Sequence, residues 1–234
     1  LIMPLPELVT PVYTLAVPST KKKIKYRPFL VKEQKTLIVA LESQDNQMII
    51  DGIRQILKNC IQTRVNLDEL SLFDIEYIFL QIRGRSISEE IKMKVTCEDD
   101  GETEVDVTFL VDDVKVNYPK GHTNKFKLSD DMTLVMRYPN LDYFASVTFG
   151  DGNVDPYDLV AQCIHHVYVG ENDCGEFTFE EAREWVETLT NAQFEMIQEF
   201  FETMPTLKHV LKVKNPKTKV DNEVVIEGLA DFFV

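Results

Sequence analysis

Two stretches of the chain carry side chains whose types and spacing could do chemistry. Asp151-Gly152-Asn153-Val154-Asp155 places oxygen ligands at alternate positions, the opening of a calcium loop. Its continuation departs from that pattern, with Pro156 where the loop needs a glycine turn and Gln162 where it needs a bidentate glutamate. The segment reads instead as a turn that caps the next helix. Cys163, His165, His166 and Cys174 form the second set, and thiols with imidazoles are the chemistry of zinc. A zinc-dependent hydrolase built on these four residues is the alternative reading of the chain. Against it, adjacent histidines on a helix point about 100° apart and are poorly placed to share one ion. The sequence has no Gly-x-Ser-x-Gly, no His-Glu-x-x-His and no phosphate-cradling glycine loop. No catalytic residue, metal ligand or cofactor is assigned, and the chain reads as a non-enzyme.

Composition narrows the classes further. With 44% hydrophobic and 27% charged side chains over 234 residues, the chain can build a sizeable core without staples. Its four cysteines are too few and scattered for a disulfide framework, so a reducing compartment is expected. The first residues lack the basic start and apolar run of a signal peptide. Lys and Arg number 25 against 39 Asp and Glu, and the resulting −14 charge repels phosphate backbones. No nucleic acid partner is expected. No apolar run approaches the roughly 20 residues of a membrane span.

Hydrophobic periodicity supplies the elements that must position these residues. Pro4 to Pro18 intersperses prolines with Leu, Val, Tyr and Thr, which suits an extended arm or an edge strand. The row Lys21 to Arg27, with Ile24 and Tyr26 between the cations, completes a hairpin with a charged outer face of solvated or edge-protecting lysines. Spacing of three and four predicts helices over Leu30 to Leu41, over Met48 to Ile61 with Asp45 or Asn46 as cap, and over Leu67 to Arg83. The last is apolar on more than one side and should be the hub of the amino-terminal core. Between Ser88 and Pro139 the period becomes two, and a small antiparallel sheet is expected. Helical spacing then returns from Tyr157 to Val167. Thr178 with Glu181 opens a further helix by the capping-box spacing, and Thr190 or Asn191 caps one that carries Phe194, Ile197, Phe200 and Phe201. Leu207 to Val213 and Val220 to Ile226 alternate about Asn215-Pro216-Lys217-Thr218 as a closing hairpin. The class is α+β, with an N-terminal hairpin plus helices, a central small antiparallel sheet, and a C-terminal helical unit closed by a β-hairpin. The loop-like Gly150-Asp151-Gly152-Asn153 suggests a division into 1–150 and 151–234.

Terminal apolar residues are the candidate partner-binding groups: Leu5, Leu8, Val9, Val12 and Tyr13 in the arm, and Leu229, Phe232 and Phe233 in the tail. The block Arg27-Pro28-Phe29-Leu30-Val31-Lys32-Glu33-Gln34-Lys35, the helix end Asn59-Cys60, the stretch Phe73 to Arg83 and the closing Gly228-Leu229-Ala230-Asp231-Phe232-Phe233 resemble the baseplate hub assembly proteins of T-even-type contractile-tailed bacteriophages. The resemblance spans nearly the whole chain. It implies a late viral protein made in the host bacterial cytoplasm, acting in assembly or structure of the tail baseplate hub, with the virion as a second location. Its implied partners are other hub or tail proteins, with a homo-oligomer as a further option. It also implies that some relatives carry Cys-x-x-Cys pairs, suggesting a zinc ribbon, at the turn of the central sheet and in the terminal hairpin. Here those places hold Cys97 with Asp100 and Asn215-Pro216-Lys217-Thr218, a departure that speaks against metal binding by this chain.

Overall fold

A computed structural model describes residues 8–43, 45–141 and 155–228. The amino-terminal hairpin forms as expected, from β1 (Tyr13–Ala16) and β2 (Lys23–Tyr26), with Leu15 opposite Ile24 and Thr14 opposite Lys25. Strand alternation turns Leu15, Ile24 and Tyr26 inward and leaves Lys23 and Lys25 outside. On its other edge β2 meets the end of the second helix, where Arg27 N donates to Cys60 O at 2.9 Å and Gln62 N to Lys25 O at 2.8 Å. α1 (Val31–Glu42) starts at Leu30, whose N–H is accepted by the Glu33 carboxylate at 2.8 Å. Glu33 is buried, and the Arg27 guanidinium meets both its oxygens, at 3.0 and 3.2 Å. That bidentate pair fixes the hairpin to the helix.

α2 (Asn46–Cys60) is capped by Asp45, which accepts from Met48 N at 3.1 Å. α3 (Leu72–Ser86) begins later than the periodicity predicts, because Leu67–Glu69 forms a 3-10 turn first. Its expected role as a hub holds. Ile75, Ile78, Phe79 and Ile82 enter a first core with Leu15, Ile24, Ile53 and Leu57, while Leu80 enters another.

The central strands are antiparallel, as expected, but they are dealt among three sheets. β3 (Glu90–Thr96) and β4 (Glu104–Leu110) pair as an isolated hairpin. β5 (Lys115–Asn117) joins the terminal hairpin of β10 (Thr206–Lys214) and β11 (Asp221–Glu227) in the order β11-β10-β5. β6 (Lys125–Lys127) and β7 (Met132–Met136) continue into β8 (Ile164–Val169) and β9 (Asn172–Asp173). In chain order α4 (Pro156–Cys163), capped by Asp155, comes between β7 and β8. The helix expected to reach Val167 stops at Cys163. Ile164 and Val167 instead occupy β8, where they pair with Met136 and Leu134.

α5 (Phe179–Val186) and α6 (Asn191–Thr203) begin at the Thr178/Glu181 and Thr190/Gln193 capping boxes. They close a second core of Phe126, Leu134, Met136, Val160, Cys163, Ile197 and Phe200. A third core gathers Leu80, Ile91, Phe109 and Val111 with Leu207, Leu211 and Ile226. The second and third cores, and the β5–β10 and β7–β8 pairings, therefore draw on residues from both sides of position 150.

Candidate functional site

The four residues of the zinc reading do not converge. Cys163 is buried at the end of α4, and burial pushes its thiol up to about 12, away from the thiolate a metal needs. His165 and His166 lie on a strand rather than a helix, with ring centroids 4.1 Å apart. His166 Nδ1 meets an Asp173 carboxylate oxygen at 2.8 Å, and Cys174 is exposed. Burial, then the neighbouring His166, lowers the basicity of His165. Among the described residues no three His, Cys, Asp or Glu side chains are grouped as a metal site requires. The calcium-like segment lies outside the described residues up to Val154. Its last member, Asp155, caps α4 by accepting from Tyr157 N at 2.9 Å and pairs with Arg183 at 2.9 Å.

A cleft of about 480 Å³ beside His165 is lined by Arg137, Tyr138, Gln162, His165 and Ser71 among others. Arg137 Nε is already committed to Gln162 O at 2.9 Å. His122 is likewise committed, between Thr203 Oγ1 and Tyr138 OH at 3.0 Å each, with its ring stacked on Tyr138. The Arg137 guanidinium and the His122 imidazole therefore each have a structural partner.

Two distant turns meet. Asn215 Nδ2 donates to Asp99 Oδ1 at 2.9 Å, Thr218 Oγ1 donates to Asp99 Oδ2, and Asp99 N donates to Asn222 Oδ1 at 3.0 Å. Donors from Thr218 and then Asn215 hold the Asp99 carboxyl below the ordinary range, and donors from Thr103 do the same for Asp100. The turn after β3, which carries Cys97 and Asp100, is thus fastened to the turn between β10 and β11 by hydrogen bonds.

The arm is placed differently from any of these groups. Leu8 is 90% exposed, Val9 97% and Val12 50%, so three large aliphatic side chains within five residues are open to water, the third by half. Tyr13 is half-buried, its ring 5.7 Å from that of Tyr26 and the Arg85 guanidinium 5.6 Å from its centroid. It anchors the hairpin rather than facing outward with the other three. Apart from β2, no strand pairs with β1 among the described residues. Leu5, Leu229, Phe232 and Phe233 lie outside the described residues.

A second apolar surface is not marked by the periodicity of α1. Val31 is 83% exposed and Val39 47%, and Val39 with Met48, Ala40 and Gly52 lines a groove between α1 and α2 of about 540 Å³, rimmed by Lys32, Lys35 and Asp51. The available signal was that Val31 and Val39 fall off the stripe set by Leu37 and Ala40, the buried apolar residues of the helix.

Among models of known families, one described as T4 bacteriophage base plate protein matches residues 10–234. No curated protein and no solved structure matches the chain.

Proposed function

The chain belongs to the T4 bacteriophage base plate protein family, and from that membership we propose that it serves the central hub of the baseplate, in its assembly or its structure, by binding other tail proteins. It is made in the host bacterial cytoplasm and works there without catalysis. The observation that carries this reading is the arm. Apolar side chains as exposed as Leu8, Val9 and Val12 suit an interface more than a monomer's surface. They precede a strand whose outer edge lacks a partner among the described residues, and an extended segment can pair edge to edge with a partner's sheet while its alternate side chains fill pockets. In the same reading Leu229, Phe232 and Phe233 act as a second anchor, since buried aromatics concentrate interface energy at about 2 kcal/mol or more each.

The test replaces Leu8, Val9 and Val12 together with serine and measures both the melting temperature and recovery in hub complexes. The expected result is a nearly unchanged melting temperature with loss of recovery, because Leu8 and Val9 bury almost nothing in the isolated chain and Val12 is only half covered. Undiminished recovery removes the arm from the interface. Phe232→Ser with Phe233→Ser is judged the same way, and a fall in the melting temperature of the isolated chain assigns the tail to its own core.

A further inference from the structure

The chain is acidic as a whole, yet its charge is sharply divided. Lys21, Lys22, Lys23, Lys25 and Arg27 fall within seven residues that hold no acid. Between Glu171 and Glu202, in contrast, ten acidic side chains face Arg183 alone. These two stretches belong to different cores, the hairpin to the first and α5 with α6 to the second.

Within the basic row Arg27 is neutralised by Glu33, whereas the lysines pair with no carboxylate among the described residues. Lys23 and Lys25 stand on the outer face of β2, opposite Ala16 and Thr14, whose short side chains leave the ammonium groups uncovered. Lys22 and Arg64 are exposed nearby, and among the described residues no carboxylate pairs with any of these four cations. On the other surface Glu180 and Glu184 lie one turn apart on α5, and Glu195 and Glu199 one turn apart on α6, all exposed and without a cation among the described residues. Arg183 is already occupied by Asp155, Asp158 and Glu187. Phe179, 47% exposed, precedes Glu180 in sequence, and Met196, 40% exposed, follows Glu195.

We propose that the outer face of the β1–β2 hairpin docks on the α5–α6 face of a second copy of this chain. Both complementary surfaces are present on one molecule and do not pair within it, so each copy offers one of each. The net charge of −14 opposes approach from afar, but repulsion is largely screened beyond about 8 Å at physiological salt, whereas opposed lysines and glutamates in contact are screened much less. Such a contact is heterologous: it closes into a ring if the rotation between copies permits and otherwise extends as a filament. The inference does not depend on which tail protein the arm binds.

The test is sedimentation of the full chain over a range of concentrations, with two charge-reversed variants: Lys22→Glu, Lys23→Glu, Lys25→Glu in one and Glu180→Lys, Glu184→Lys, Glu195→Lys in the other. The wild type should rise with concentration from 27.0 kDa to at least the mass of a dimer. Raising salt to about 1 M, where screening shortens to about 3 Å, should weaken that association at least about tenfold. Each variant alone should stay monomeric, and mixing the two in equal amounts should restore association. If either reversed set unfolds the chain, the same positions changed to glutamine serve, with loss of association as the reading. A wild type that stays monomeric at every concentration overturns the proposal. So does self-association that survives either variant, a mixture that stays monomeric, or a basic face that takes up a polyanion while the chain remains a monomer.

Discussion

Asn215 shows how much can rest on one buried amide. It is fully buried, its Oδ1 accepting from Lys217 N at 2.8 Å and Thr218 N at 3.2 Å while Nδ2 donates to Asp99. Asn215→Ala leaves two turn amides and a carboxylate short of a partner, and a loss of about 1–3 kcal/mol in urea unfolding is expected. The pH dependence follows from Asp99, whose carboxyl is held below its ordinary 3.8 by Thr218 first and Asn215 second. A carboxylate held below its unfolded value stabilises the fold above that value and loses the contribution as pH falls through and below it. The stability gap between wild type and Asn215→Ala should therefore be full at neutral pH and narrow below about pH 4. A gap constant with pH would confine Asn215 to its own turn. Both turns are legible in the sequence from Asp99-Asp100-Gly101 and Asn215-Pro216-Lys217-Thr218. Their meeting is not, because 116 residues separate Asn215 from Asp99 and no local pattern encodes so distant a pairing.

Among the elements, α3 holds the most. Phe79 has no exposed surface and packs its ring 5.7 Å from that of Phe29, in the core shared by the hairpin, α1 and α2. Near the other end of the helix Gly84 lies against Val111, where a Cβ would come within 2.8 Å of a methyl group. Phe79→Ala should cost about 3–5 kcal/mol in unfolding free energy, measured by chemical denaturation, since the surrounding helices cannot collapse into the space of a ring. A cost near that of an exposed substitution would mean that the first core is not organised around α3. This helix is legible because its apolar residues occupy several faces, and α5 and α6 are legible because Thr178/Glu181 and Thr190/Gln193 supply start signals at the required spacing. The border between α4 and β8 is not. Val160, Cys163, Ile164 and Val167 recur at helical spacing, yet pairing with β7 overrides that period and turns the chain at Cys163. A second distant pairing takes β5 away from β4 and gives it to β10.

Across the whole molecule, three cores are stitched by strands from distant parts of the chain, and the second and third cores draw on residues from both sides of position 150. Composition signals a loop there; it carries no information on which strands will pair across it. The resemblance of Arg27 to Lys35 and of Phe73 to Arg83 pointed to the baseplate, and the family match over residues 10–234 agrees. What the sequence alone leaves hidden is the distribution of surface: that the arm residues Leu8, Val9 and Val12 stand free while Tyr13 packs inward, and that the lysines of β2 find no carboxylate among the described residues. Both features fit a molecule whose activity is binding. The most direct measurement of that claim is quantitative mass spectrometry across a sedimentation gradient of infected-cell extract. The account predicts that the chain travels with identified baseplate proteins, in a fixed ratio to them, in hub-containing fractions. A chain found only apart from every baseplate protein, throughout infection, would contradict it.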